Sequence, residues 1–290
     1  MKAIEIENLT KYYGQARGIE GVDLKIEKGD FFGFIGPNGA GKSTTIRLLC
    51  GLIKASSGQA KIFGKDVWQD KTEILAGVGY LPSESAFYKG MTVGDIISFS
   101  AKMRKKDCSL AAKELCERLQ LDTTRRVEEL SLGNRKKVGI VCALQHEPSL
   151  YILDEPTSGL DPLMQREFYN ILKERNDKGA TVFLSSHVLS EIERYCKNAA
   201  VIREGKILVC DSVDKLAHTG VKRVILRGTN APTIDKITDI RVENDAVSFL
   251  YDGEIKVLLD ALSKTEITDL NITDPELDEI FMHYYAKGDM

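Results

Sequence analysis

No apolar run in this 290-residue sequence approaches the length that spans a bilayer. The opening Met1-Lys-Ala-Ile-Glu-Ile-Glu7 carries acids inside its apolar alternation, unlike a secretory leader. No two of the six cysteines are spaced Cys-x-x-Cys. Cys50, Cys108, Cys116, Cys142, Cys196 and Cys210 lie mostly in apolar stretches, which argues against a disulfide framework or a zinc site and for thiols in a reducing compartment. Positive charge is not in excess: the formal net charge is -3, so no global field draws the chain to nucleic acid or acidic lipid. The basic cluster Lys102-Met-Arg-Lys-Lys106 reads more simply as a solvated helix end or loop than as a phosphate-binding surface. Internal repeats and low-complexity tracts are absent as well. The expectation is a cytoplasmic globular chain whose membrane association runs through a partner.

What is present supports a substantial core, with 43% hydrophobic and 29% charged residues. Ile4, Ile6 and Leu9, then Val22, Leu24 and Ile26, alternate as antiparallel strands with one buried face. The continuous runs Phe31–Ile35, Leu150–Leu153 and Thr181–Leu184 suit strands buried on both faces. Between them fall helical patterns from Lys42 to about Leu52, from about Thr92 to Leu121, and from Pro162 (capped by Asp161) to Gly179. This alternation predicts an α/β fold with a mostly parallel sheet covered by helices, an antiparallel β subdomain and a helical subdomain at about 85–130. After about Asp211 the texture changes. Val224 and Leu226 alternate, as do Val247, Phe249 and Tyr251; Asp252-Gly253 signals a hairpin, and Ile255 and Val257 resume the strand pattern. A last helix is expected from Asp274-Pro275 through Tyr284. The expected division is a main domain at 1–210 and a small C-terminal α+β domain at 211–290.

Gly36-Pro37-Asn38-Gly39-Ala40-Gly41-Lys42-Ser43 matches G-x-x-x-x-G-K-[ST] between an expected strand and an expected helix. The glycines let backbone N–H groups turn toward phosphate oxygens, and the helix N-terminus adds partial positive charge. Lys42 can reach the β- and γ-phosphates of ATP, and the Ser43 hydroxyl, followed by Thr44, can ligate Mg²⁺. Downstream, Tyr151-Ile-Leu-Asp154-Glu155-Pro156 ends a buried strand in two acids. Asp154 there suits a metal-holding role, and Glu155 can polarise an attacking water. Two acids after a strand would also serve as a helix cap; the upstream phosphate loop favours the catalytic reading.

With these motifs in order, the chain from about residue 2 to 210 resembles the nucleotide-binding subunits of the ABC transporter family, a P-loop NTPase fold. Leu130-Ser131-Leu132-Gly133-Asn134 is similar to the family signature, Ser158-Gly-Leu-Asp161-Pro162 to its D-loop, and Ser185-Ser-His187 to its switch histidine region. Tyr13, before Gly14, stands where the family stacks an aromatic on adenine. The resemblance implies that Ser131 and the Gly133 N–H complete the site of a second subunit in trans. It also implies that Asp161 links the two sites and that His187 contacts the γ-phosphate. It implies an ATPase working with a separate integral membrane permease, as a homodimer rather than a heterodimer, at the inner face of the membrane. Phe87, Tyr88 and Met91 become candidate permease contacts, although packing at a helix entry would explain them equally.

Two departures stand out. Leu132 and Asn134 replace the first glycine and the glutamine of the signature, and Ser83 stands at the Q-loop glutamine position, with Glu84 as a possible substitute. Together with the ending Pro275-Glu-Leu-Asp-Glu-Ile-Phe281 they resemble ABC-2-type exporter ATPases, including bacterial drug and antimicrobial-peptide resistance systems. The alternatives are a soluble ABC ATPase of translation or DNA repair, which usually brings a second nucleotide domain or a long coiled coil, and a regulatory module that holds ATP without turnover.

Overall fold

In the computed structural model, which describes residues 1–217, 221–243 and 245–273, the chain forms two compact units that divide between Cys210 and Asp211. The first begins with two long antiparallel strands, Lys2–Tyr13 (β1) and Ala16–Glu27 (β2). Their register sets Ile4 against Ile26, Ile6 against Leu24 and Leu9 against Val22, so the alternation falls on one buried face. The chain then enters Phe31–Ile35 (β3), turns through the glycine-rich loop into Lys42–Leu49 (α1), and returns as Ser57–Ile62 (β4) and Lys65–Asp66 (β5). These last two complete a four-stranded sheet ordered β2-β1-β4-β5.

Lys71–Ala76 (α2) leads to Val78–Leu81 (β6), and the helical segment follows as Val93–Met103 (α3), Ser109–Arg118 (α4) and Leu132–Leu144 (α5). The pattern at 92–121 is thus two helices. Lys105, in the left-handed region at φ 52, breaks it, and Asp107 accepts from Ser109 N (2.9 Å) as the chain re-enters a helix. Thr92 starts α3 with a reciprocal capping box to Asp95. Leu150–Asp154 (β7), Pro162–Asp177 (α6), Thr181–Ser186 (β8), Leu189–Tyr195 (α7), Asn198–Arg203 (β9) and Lys206–Ser212 (β10) finish the unit.

The central sheet runs β10-β9-β3-β8-β7-β6, with every pair from β9 to β6 parallel. Alternate residues of its strands serve two cores. Leu150 and Ile152 join Phe32, Phe34, Phe183 and the α1 residues Ile46 and Leu49 in the core shared with the antiparallel sheet. Tyr151 and Leu153, intervening in β7, are also fully buried. The two sheet layers trap α1 between them, which fixes the loop that precedes it.

The second unit holds Val213–Ala217 (α8), Lys222–Arg227 (β11), Ile237–Glu243 (β12), Ala246–Tyr251 (β13), Ile255–Leu262 (α9) and Asp269–Thr273 (β14). Its four-stranded sheet is ordered β12-β13-β11-β14. The strand expected to resume at Ile255 is a helix instead. Leu258 and Leu262, four apart, are buried against Val224, Phe249 and Tyr251, while Val257 and Leu259 face solvent. β11 pairs antiparallel with β13 on one side and on the other with β14, some distance further along the chain. The helix expected from Asp274 to Tyr284 lies outside the described residues. Among the described residues, no helix is long and apolar enough to cross a membrane.

Candidate active site

The glycine-rich loop leaves β3 at Gly36, where a Cβ would sit 2.2 Å from the Ile202 carbonyl oxygen of β9. Only glycine allows that approach. Gly41, at φ 110, ends the loop in a conformation that L side chains avoid, and offers no side chain to cap α1. The first N–H groups of the helix therefore remain for an incoming anion. Lys42, 5% exposed, curls back over its own loop. Its ammonium donates to Gly36 O (2.6 Å) and Pro37 O (3.1 Å) and lies 3.4 Å from Glu155 Oε1. Ala40 N closes the loop onto Pro37 O at 3.1 Å.

The acids come from the end of β7. Asp154 is 2% exposed, and Ser185 Oγ donates to its Oδ1 at 3.0 Å from the neighbouring strand β8. Its negative field reaches the interior: burial first, and then Asp154, push the Cys50 thiol up to about 12. Glu155 follows at φ 46, a left-handed conformation that costs a residue with a Cβ about 1–2 kcal/mol. That turn, held by Glu155 N donating to Ser185 O (3.0 Å), swings the side chain away from the strand toward Lys42. His187 Nδ1 lies 3.2 Å from the same Glu155 Oε1. Glu191 braces both flanks, accepting from Thr157 Oγ1 and from Ser186 Oγ, each at 2.7 Å.

A cleft of roughly 200 Å³ opens beside Lys42 and Glu155, lined also by Tyr13, Asn38, Gly39, Gly41, Ser43 and Thr44; Asp154 and His187 do not line it. Arg17 and Gly18 line it too, and sequence reading missed both. The β1–β2 hairpin was legible, but the register that sets Tyr12 opposite Arg17 and brings that cation to the cleft was not. Tyr13 is half exposed beside the Lys11 ammonium, 5.4 Å from the ring centroid.

Ser131, Gly133 and Asp161 do not line the cleft. Ser131 caps α5 by accepting from Asn134 N (3.3 Å), and Asp161 caps α6 by accepting from Met164 N (3.0 Å). Gly133 lies against the Gly159 carbonyl, which a Cβ would approach to 2.5 Å. Signature-like and D-loop-like segments thus pack on each other within one chain. Ser83, after β6, presents its backbone carbonyl to the Lys136 ammonium at 2.8 Å.

The model of the ABC transporter family matches residues 19–158. The bacitracin transport ATP-binding protein BcrA of Bacillus licheniformis is 42% identical over 71% of this chain and 68% of its own length. The chain belongs to the ABC transporter ATP-binding subunits. Another BcrA, from Enterococcus faecalis, is 31% identical over 98% of this chain and 97% of its own length, so this similarity continues through the second unit. Among solved structures, the ATP-binding subunit of an ABC transporter superposes with a TM-score of 0.69 at 30% identity, covering 74% of this chain and 91% of that one. As a member of this family of ATP-hydrolysing cassettes, the chain is an ATPase.

Proposed function

We propose that this ATPase powers export through a separate integral membrane permease, docked at the cytoplasmic face, and that the cleft beside Lys42 is where ATP binds and is cleaved. One observation carries the reading. The Lys42 ammonium, from the start of α1, and His187 Nδ1, from the end of β8, lie 3.4 and 3.2 Å from one oxygen of Glu155, which follows β7, at the mouth of a glycine-rich anion loop. In this reading the loop N–H groups from Asn38 to Thr44 and the Lys42 ammonium bind the triphosphate, and Tyr13 stacks on the base. Glu155 takes the proton of the attacking water, and His187 holds the γ-phosphate side. The oxygen donors of Asp154 and Ser43, one a carboxylate at the end of a dry strand, fit Mg²⁺. That ion would neutralise phosphate charge at those two residues.

A second copy of the chain would complete the site through Ser131 and the Gly133 N–H; a homodimer is proposed because one chain carries both halves. Exposed Tyr88, stacked edge-on against Phe99 at 6.3 Å, gives the permease an apolar contact on the helical segment, together with Phe87 and Met91. The proposed division is a catalytic domain at 1–210 and an accessory domain at 211–290. Two relatives carry bacitracin transport in their names, which supports a cargo of that kind for this chain. The test is affinity capture of Glu155→Gln with ATP from solubilised membranes. A polytopic membrane protein recovered with it upholds the reading; ribosomes, DNA-repair factors or the chain alone would sink it.

A further inference from the structure

Lys136 lies one turn into α5, only 4% exposed. Its ammonium donates to Ser83 O at 2.8 Å and Pro82 O at 3.2 Å, both in the loop that follows β6. Three residues further along the same helix, Gly139 lies so close to this loop that a Cβ would meet Ser85 Oγ at 2.6 Å and Leu81 Cδ1 at 2.9 Å. Helix and loop are therefore joined twice, by a charge-assisted clamp and by close packing. Taking an ammonium out of water is costly, and an apolar side chain of the same length would fill the space at less expense. Burial pushes the Lys136 pKa down to about 8, while Asp154, Glu155 and Glu84 favour its charged form. Through Asp154 and Glu155, this cation of the helical segment lies in the field of the proposed catalytic acids.

We propose that Lys136 is a positioning residue for hydrolysis: it ties the Pro82–Ser83 backbone to α5, so that the loop beside the catalytic carboxylates and the helix that begins at Ser131 move as one body. This rests on the ATPase reading of the Glu155 cleft. It also accounts for serine at position 83. A hydroxyl reaches less far than a glutamine amide, and the loop is instead fixed through its main chain, from the α5 side. A cation on α5 thereby replaces a side chain on the loop as the element that sets loop position.

The test uses the full chain in four forms: wild type, Lys136→Met, Lys136→Arg and Glu155→Gln. Steady-state Mg-ATP hydrolysis is measured beside hydrogen exchange of residues 81–87. Lys136→Met keeps the stem and removes the donors. It is expected to lower kcat roughly 10-fold or more with KM within about 2-fold, because positioning and not nucleotide binding is lost. Exchange at 83–87 is expected to rise about 10-fold while α1 stays protected. Lys136→Arg, which restores charge and donors, is expected to recover kcat to within about 3-fold of wild type. A Lys136→Met enzyme with wild-type kcat and wild-type exchange overturns the proposal, since a filler needs no donors. If Lys136→Met does not fold, Lys136→Leu, which also lacks donors, is read the same way. Full activity in Glu155→Gln defeats the reading of the Glu155 cleft as the site of hydrolysis; exchange alone then decides the clamp, faster exchange upholding it and unchanged exchange overturning it.

Discussion

The Lys42–Glu155 pair sets two demands on one carboxylate. In the proposed reaction Glu155 activates water, yet in the structure it holds, at 3.4 Å, the ammonium proposed to bind the phosphates. Replacing it by Gln should therefore weaken the fold and tighten nucleotide binding together. At an effective dielectric of about 20, unit charges at that separation attract by about 5 kcal/mol. Most of this is not net stability: Glu155 is 20% exposed, and Lys42 keeps its acceptors Gly36 O and Pro37 O. A net loss of about 1–2 kcal/mol is expected. For a domain of this size that lowers Tm by roughly 2–8 °C. In ATP, the phosphates replace the missing carboxylate without having to displace it. Affinity should rise about 5–10-fold, an advantage of roughly 1–1.4 kcal/mol. The assay is thermal unfolding of wild type and Glu155→Gln with and without ATP, in EDTA so that turnover does not intrude, plus an equilibrium ATP titration. A variant with unchanged Tm and the same ATP-induced shift as wild type refutes the competition. A lowered Tm that ATP does not restore would show lost structure instead of a removed competitor.

Two further outcomes follow from burial and close approach. Gly36→Ala puts a methyl 2.2 Å from the Ile202 carbonyl oxygen, so β9 must retreat by about 1 Å, at about 2–3 kcal/mol; a urea midpoint equal to wild type would show that the approach is not strict. His146 is 3% exposed, its Nε2 3.2 Å from Val78 O, and burial holds its pKa down to about 4. The unfolded chain takes up that proton near the ordinary histidine value of about 6.5, the folded chain only near 4, so stability is full above about pH 6.5 and falls as pH drops toward 4. The loss is roughly 1–3 kcal/mol, and urea unfolding of wild type against His146→Gln at pH 7 and pH 5 should show the wild type losing more; parallel losses would place the acid sensitivity elsewhere.

What the sequence disclosed was what local chemistry dictates. The alternation of Ile4, Ile6 and Leu9 is a period-2 signal, and the observed register follows it. The runs at β3, β7 and β8 are apolar because both faces are covered, and Pro162 after Asp161 marks a helix start by capping alone. Period signals fail where an element is short. Ile255 and Val257 mimic a strand over three residues, and only the partners of Leu258 and Leu262 in the second unit decide for a helix. Nothing local announces that Glu155 adopts φ 46, that Arg17 reaches the cleft, or that Lys136 binds the Pro82 and Ser83 carbonyls. Each depends on where a distant strand or helix brings its partner. Residue types were legible at the site; the pairing of one carboxylate with both Lys42 and His187 was not.

The altered signature has a physical reading that unites these points. Glycine after Ser131 would let a partner's phosphate approach the helix N-terminus without hindrance. Leu132 instead leaves an apolar side chain 62% exposed, and Leu163, just inside the next capped helix, is 75% exposed. Single exposed leucines are ordinary. Leu132 lies against Gly159, beside the place where Gly133 rests on it, so it belongs to the surface that the proposed dimer would cover. Fully burying a leucine is worth about 1.5–3 kcal/mol, enough to offset a looser contact to phosphate. Closure in this chain would then draw on apolar burial at Leu132 where a glycine signature relies on close backbone approach. The cap at Ser131 survives the exchange, because it depends on Ser131 and the Asn134 N–H and not on the residue at 132.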